Sequence, residues 1–165
     1  MLGKYENFPV NVHFIKRFSS TLNSKQFQQK LINALKSLNR KPFSFEEITI
    51  PTIPNCEVLF EFGIAEGECF NFLDEQEVNR VLNMLKTVQT WDFFCVIRYY
   101  RCYEQKKSAL KFDYYMVRVN FVVKNVEFRV FHKQGSRYIA PEELVTIITD
   151  SINNASVKRV LNEMV

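Results

Sequence analysis

At 165 residues with a net charge of +4, and with 4 Gly against 16 Phe and 7 Tyr, the chain suits one α+β domain, 1–165, able to bury a core without staples. So few glycines nearly exclude the Gly-rich loops that cradle phosphates, whereas abundant rings suit strands. No run approaches the ~18 apolar residues of a membrane span, and Lys4, Glu6, Asn7, Pro9, Asn11 and His13 break up any leader-like segment; a soluble intracellular protein, cytoplasmic or nuclear, with no membrane partner is expected.

Val10, Val12 and Phe14 alternate with Asn11, His13 and Ile15, which predicts a strand over Val10 to Arg17. A polar stretch from Ser19 to Ser24 closes it. The next segment, Ser24 to Leu38, places Phe27, Leu31, Ala34, Leu35 and Leu38 on one helical face. Asn23 with Gln26 three residues on reads as a capping box, and Asn39 and Pro42 end the helix. A connector holding Pro42, Pro51 and Pro54 follows, with a short edge strand expected over Glu47 to Ile50.

Glu57 to Leu73 reads as a hairpin around a loop at Ala65, Glu66 and Gly67. That loop would pair Phe62 with Phe70 and Phe60 with Phe72, giving one aromatic and one polar face. A second helix starts behind Asp74, with Val78, Val81, Leu82 and Leu85 as its buried stripe. Phe93 to Glu104 is a long aromatic strand, followed by a polar loop from Gln105 to Ala109. Lys111 to Val123 and Val126 to Lys133 form a second hairpin. A turn at Lys124 and Asn125 sets Phe121 against Phe128 and Val119 against Val130, with Val122 and Asn120 opposite Glu127 and Arg129 on the polar face. His132 then ends its strand opposite Val117. Pro141 opens the last helix, with Leu144, Ile147, Ile148 and Ile152 inward. Val160, Leu161 and Met164 read as a final amphipathic turn. The predicted architecture is an antiparallel sheet built from hairpins, with about three helices mainly on one face. Strand, hairpin and helix recur in each half, which admits a pseudo-repeat or mere reuse of a ββα unit.

Cys56, Cys69, Cys95 and Cys102 form no C-x-x-C pair and are joined by two histidines alone, so no metal site is expected. Cys95 and Cys102 sit on opposite faces of one strand, too far apart to bridge. Four reduced thiols follow. His13 and His132 have no acid or nucleophile beside them in the chain and read as structural. No catalytic residue and no cofactor is assigned.

Charge is uneven along the chain. Residues 42–79 carry nine acids and no Lys or Arg, whereas 91–137 carries ten Lys or Arg against four acids. Neighbouring segments could neutralise one another, attract a partner or a second copy, or bind phosphate. The interleaved cations and rings from Arg98 to Tyr103, with Lys106, Lys107 and Lys111, suit single-stranded nucleic acid. Arg98, Arg101, Lys106, Lys107, Lys111, Arg118 and Arg129 are the candidate anion contacts. Against a single stacking platform, Tyr99 and Tyr100 must leave the strand on opposite faces. The functional expectation is a non-catalytic binding or assembly module acting through protein association, with its own copy as one partner. The alternatives are RNA or DNA binding through the basic aromatic hairpin, and a ligand carrier or enzyme with a cavity between sheet and helices.

Overall fold

A computed structural model describes residues 5, 7–85 and 89–164; Lys4 and Glu6, used above against a leader, lie outside the described residues. The elements in chain order are β1 (Phe14–Ser20), α1 (Ser24–Leu38), β2 (Pro42–Ser44), α2 (Phe45–Ile48), β3 (Cys56–Glu66), β4 (Cys69–Phe72), α3 (Glu75–Asn83), β5 (Thr90–Tyr103), β6 (Lys106–Ala109), β7 (Asp113–Val122), β8 (Asn125–Gln134), α4 (Pro141–Asn154) and β9 (Leu161–Glu163). The strands form one antiparallel sheet in the order β2-β3-β5-β7-β8-β1-β9, with β4 added to β3 and β6 to β5. This is the α+β architecture expected from the hairpin patterns. No helix is long and apolar enough to cross a membrane among the described residues.

The helices cover one face. Alternate residues of the strands, among them Phe60, Phe62, Phe93, Ile97, Val117, Val119, Phe121 and Phe128, are buried against Phe27, Leu31, Val78, Leu144 and Ile148 of α1, α3 and α4. Asn23 caps α1 as its spacing requires: its side chain accepts from the Gln26 N–H, and the Gln26 side chain accepts from the Asn23 N–H. Asp74 caps α3 by accepting from the Glu77 N–H at 2.8 Å.

Both hairpins differ in register from the sequence expectation. In the second, Phe121 pairs with Val126, Val119 with Phe128 and Asn120 with Glu127. The turn falls on Val123 and Lys124, with Lys124 at φ 66°. This slip is by two residues, so every side chain keeps its face, and Phe121 and Phe128 are buried. His132 consequently faces Tyr115 rather than Val117, beside an irregularity where Tyr114 still faces Gln134. In the first hairpin Gly63 pairs with Phe72 and Ala65 with Phe70. Gly67, at φ 61°, is the first residue of a two-residue turn, where a glycine is favoured. That slip is odd. Phe70 and Phe72 therefore leave the helix side, occupied by Phe60 and Phe62, and join a second apolar cluster on the other face.

Four shorter segments also depart from expectation. The first strand begins at Phe14, because the chain before it crosses the open face of the sheet and leaves Val10 91% exposed. The edge strand is Pro42–Ser44; Glu47 and Ile48 belong to a single helical turn closed by the Thr49 N–H on the Phe45 carbonyl. Residues 106–109 form β6 rather than a loop, because Glu104 and Gln105 both adopt positive φ and make a tight reversal. The last segment is a strand beside β1, not a helical turn. Asn153 turns it back by accepting from the Val160 and Leu161 N–H groups.

Candidate interaction face of the sheet

Strand alternation puts Glu61, Asp92, Arg98, Arg118, Asn120, Glu127, Arg129 and Arg17 on the face without helices. There the charges match across strands. Arg98 Nε donates to Glu61 at 2.9 Å, and Arg118 grips Asp92 with two bonds of 2.7 and 2.8 Å. Glu127 accepts from Arg129 at 2.6 Å and from Arg17 at 2.8 Å, and Lys107 meets Glu57 at 2.7 Å. Acidic β3 lies beside basic β5, so the two charge-rich stretches neutralise each other locally where they meet. Burial alone would raise the Glu127 carboxyl, but hydrogen bonds from Arg129 and Asn120 and the nearby cations hold it below its usual range.

The seven candidate cations divide accordingly. Arg98, Lys107, Arg118 and Arg129 share the open face and are held by carboxylates. Arg101, Lys106 and Lys111 are exposed and enter no ion pair among the described residues. Arg101 has the parity of Tyr99, and Lys106 pairs with Tyr103 on that same side. The seven are therefore not one platform. Tyr99 is fully buried while Tyr100 is half-buried on the opposite face.

The open face has two halves along β7. Over Met116 it is covered: Tyr5, Phe8 and Val12 lie on Phe70, Phe94, Val96 and Met116. Beyond Arg118 no described residue covers it. Val122 is 57% and Val123 81% exposed, and Val122, Val126 and Met164 line a groove of about 490 Å3 rimmed by Arg17, Asn120 and Glu127. A smaller concavity of about 420 Å3 lies at the other edge, between Leu59, Tyr100 and the Glu57–Lys107 pair. Between sheet and helices, the void walled by Leu31, Phe62, Phe93 and Ile148 is about 10 Å3. A single water needs about 10–15 Å3 of such space, so this void takes at most one water and no organic ligand.

A buried polar cluster on the helix side had no sequence signal except an aspartate within an aromatic strand. Asp113 is wholly buried and accepts four hydrogen bonds: from Tyr99 Oη at 2.6 Å, His132 Nε2 at 2.9 Å, and the N–H groups of Arg137 at 2.6 Å and Tyr138 at 3.0 Å. Arg137 Nε donates to His132 Nδ1 at 3.2 Å. Since arginine only donates, His132 Nδ1 is the acceptor of this bond, which leaves Nε2 as the donor to Asp113. Tyr99 in turn accepts from the Ile139 N–H at 3.2 Å, and Tyr115 donates to the Ile139 carbonyl. Burial first, and then Asp113, push both phenols far up, so they stay protonated donors. Gly135 passes so close that a Cβ there would stand 2.4 Å from Asp113 Oδ1. An Asp–His pair is a familiar catalytic element, but here both imidazole nitrogens and both carboxylate oxygens are engaged within the chain. The cluster fastens the loop before α4 to the sheet.

The thiols are all free. That of Cys95 is pushed well up, first by burial and then by Asp113 and Glu61, which keeps it from acting as a thiolate. No group of three metal-ligating side chains occurs among the described residues. Compared with known proteins, the chain matches no family model, and no curated protein or solved structure is similar to it at a significant level.

Proposed function

We propose that the chain is a non-catalytic binding or assembly module that acts through protein–protein association, with a second copy of itself as partner. The observation that supports this is the open half of the bare sheet face. It combines an apolar groove around Val122 and Met164 with a rim of already paired charges, the apolar-centre, polar-rim pattern of association surfaces. Methionine adapts readily to a partner surface. The paired charges give a phosphate backbone little to neutralise on this face and leave an apolar contact as the main attraction.

Sedimentation velocity from low micromolar concentration upward tests the proposal. A concentration-dependent dimer that Val122→Glu abolishes is expected, and because the charges are internally matched the dimer should weaken little with salt. A strict monomer at every concentration overturns it.

Nucleic-acid binding is a second reading, favoured by the exposed, unmatched Arg101, Lys106 and Lys111 beside the β5–β6 hairpin. Anisotropy titrations with single-stranded RNA and DNA at low salt decide it; no rise in signal ends it.

A further inference from the structure

Phe70, Phe94, Val96 and Met116 are buried although they lie on the face without helices. Their cover is the segment comprising Tyr5 and residues 7–12. The floor beneath is shaped for it. Gly63 pairs with Phe94 across the strands, and the Phe94 ring occupies the space a Cβ would need, 1.8 Å from that position. Phe94 then stacks on Tyr114 at 5.6 Å and meets Phe70 edge-on at 5.1 Å.

The cover is attached as a ligand would be. Tyr5 meets Phe70 edge-on at 4.9 Å and donates its phenol to Asp92. Burial and that hydrogen bond push the phenol up to about 12, so it remains a donor at neutral pH. Phe8 lies 4.6 Å from the guanidinium carbon of Arg118, the same arginine that grips Asp92. The Tyr5 N–H bonds to the Glu68 carbonyl at 2.7 Å, and the His13 N–H to the Val130 carbonyl at 2.9 Å. Between those two points, residues 7–12 make no backbone hydrogen bond to the sheet among the described residues. Two aromatic anchors in apolar slots, one phenol on a carboxylate and one ring on a guanidinium hold a segment in place of a β-ladder.

We infer that this groove is a receptor for a Tyr-x-x-Phe segment, that Tyr5 and Phe8 occupy it in cis, and that its trans occupant is the same segment of a second copy. Exchange between two copies would keep every contact just described, which makes it a low-cost route to a dimer. The cis segment competes at the high effective concentration of a short tether, so exchange is favoured only as the protein is concentrated. The groove also continues into the association surface proposed above, because Met116, Arg118, Asn120 and Val122 follow one another on the same face of β7. The second-copy occupant rests on that self-association reading; the groove as a receptor does not.

The test uses a fluorescein-labelled peptide of residues 4–13, added to the full chain and to the Tyr5→Ala/Phe8→Ala double variant, whose cis segment has lost its anchors. Saturable binding to the variant is expected, with the intact chain weaker by roughly tenfold or more. No binding to a variant with a native circular-dichroism spectrum, or equal binding to both chains, overturns the receptor. If the double variant does not fold, Tyr5→Phe takes its place; it keeps the ring on Phe70 and removes only the phenol. It should bind the peptide more tightly than the intact chain, and equal affinity overturns the inference. Sedimentation of the same samples separates the two proposals. A dimer untouched by the Tyr5 and Phe8 variants and without peptide binding sinks the exchange but leaves the Val122 surface. Peptide binding by a chain that stays monomeric sinks the second-copy occupant.

Discussion

Asp113 and Asp92 lie on neighbouring strands, each accepts a tyrosine phenol, and they face opposite sides of the sheet. Asp113, under the helices, takes four donors from three separate stretches of chain and is sealed from water. Its bonds cannot open without unpacking the start of α4. Asp92, on the open face, is gripped by Arg118 within the sheet and, among the described residues, holds only Tyr5 from outside. The same chemistry is therefore structural on one side and exchangeable on the other. What separates them is whether the donors belong to the packed core or to a segment tied down at two points.

Substitutions at the two sites should break apart accordingly. The largest effect is expected for Asp113→Ala, which strands two backbone N–H groups, a phenol and an imidazole, at a cost of about 3 kcal/mol or more. Urea unfolding would register it, and a loss no greater than that of a surface substitution would remove the clamp. Phe8→Ala should cost less, up to about 2 kcal/mol. It should act locally, so amide exchange in Phe70, Phe94 and Met116 ought to rise more than global stability falls. Asp92→Asn sharpens the contrast further: about 1 kcal/mol, with faster exchange of the Tyr5 amide and core strands unchanged.

Val122→Glu should alter stability by about 0.5 kcal/mol at most while removing self-association, which separates folding from function on the bare half of the face. The smallest effect concerns pH. The folded state holds the Glu127 carboxyl below its unfolded value, so its contribution is complete above the unfolded carboxylate range near pH 4.3 and is lost as pH falls through the lower folded value. Glu127→Gln should flatten the acid limb of a stability–pH curve by about 1 kcal/mol or less. A steeper limb in the variant would reverse the assignment.

Several features were legible from local pattern alone. The bounds and caps of α1 follow from Asn23, Gln26 and the spacing of Phe27, Leu31 and Leu35, because capping and amphipathic periodicity involve residues within a few positions of each other. The inward faces of Phe121 and Phe128 follow in the same way, since a slip of two residues leaves parity untouched. The hairpin at Gly67 escaped because an odd slip sends Phe70 and Phe72 to the opposite side, and both sides proved to have apolar cover. Of the candidate cations, Arg98, Lys107, Arg118 and Arg129 were picked out by charge; the carboxylate partners of the first three sit on other strands, beyond local pattern, whereas Arg129 meets Glu127 two residues away on its own strand.

By itself, then, the sequence determined which segments pleat, which coil and how residues alternate along each strand, since those preferences act over a handful of neighbouring positions. The tertiary structure alone decided strand register, the ring of donors around Asp113, the cancellation of acidic β3 by basic β5, and the laying of Tyr5 and Phe8 across the open face. Each of these joins residues of different elements, and its energy exists only once packing has brought those elements together.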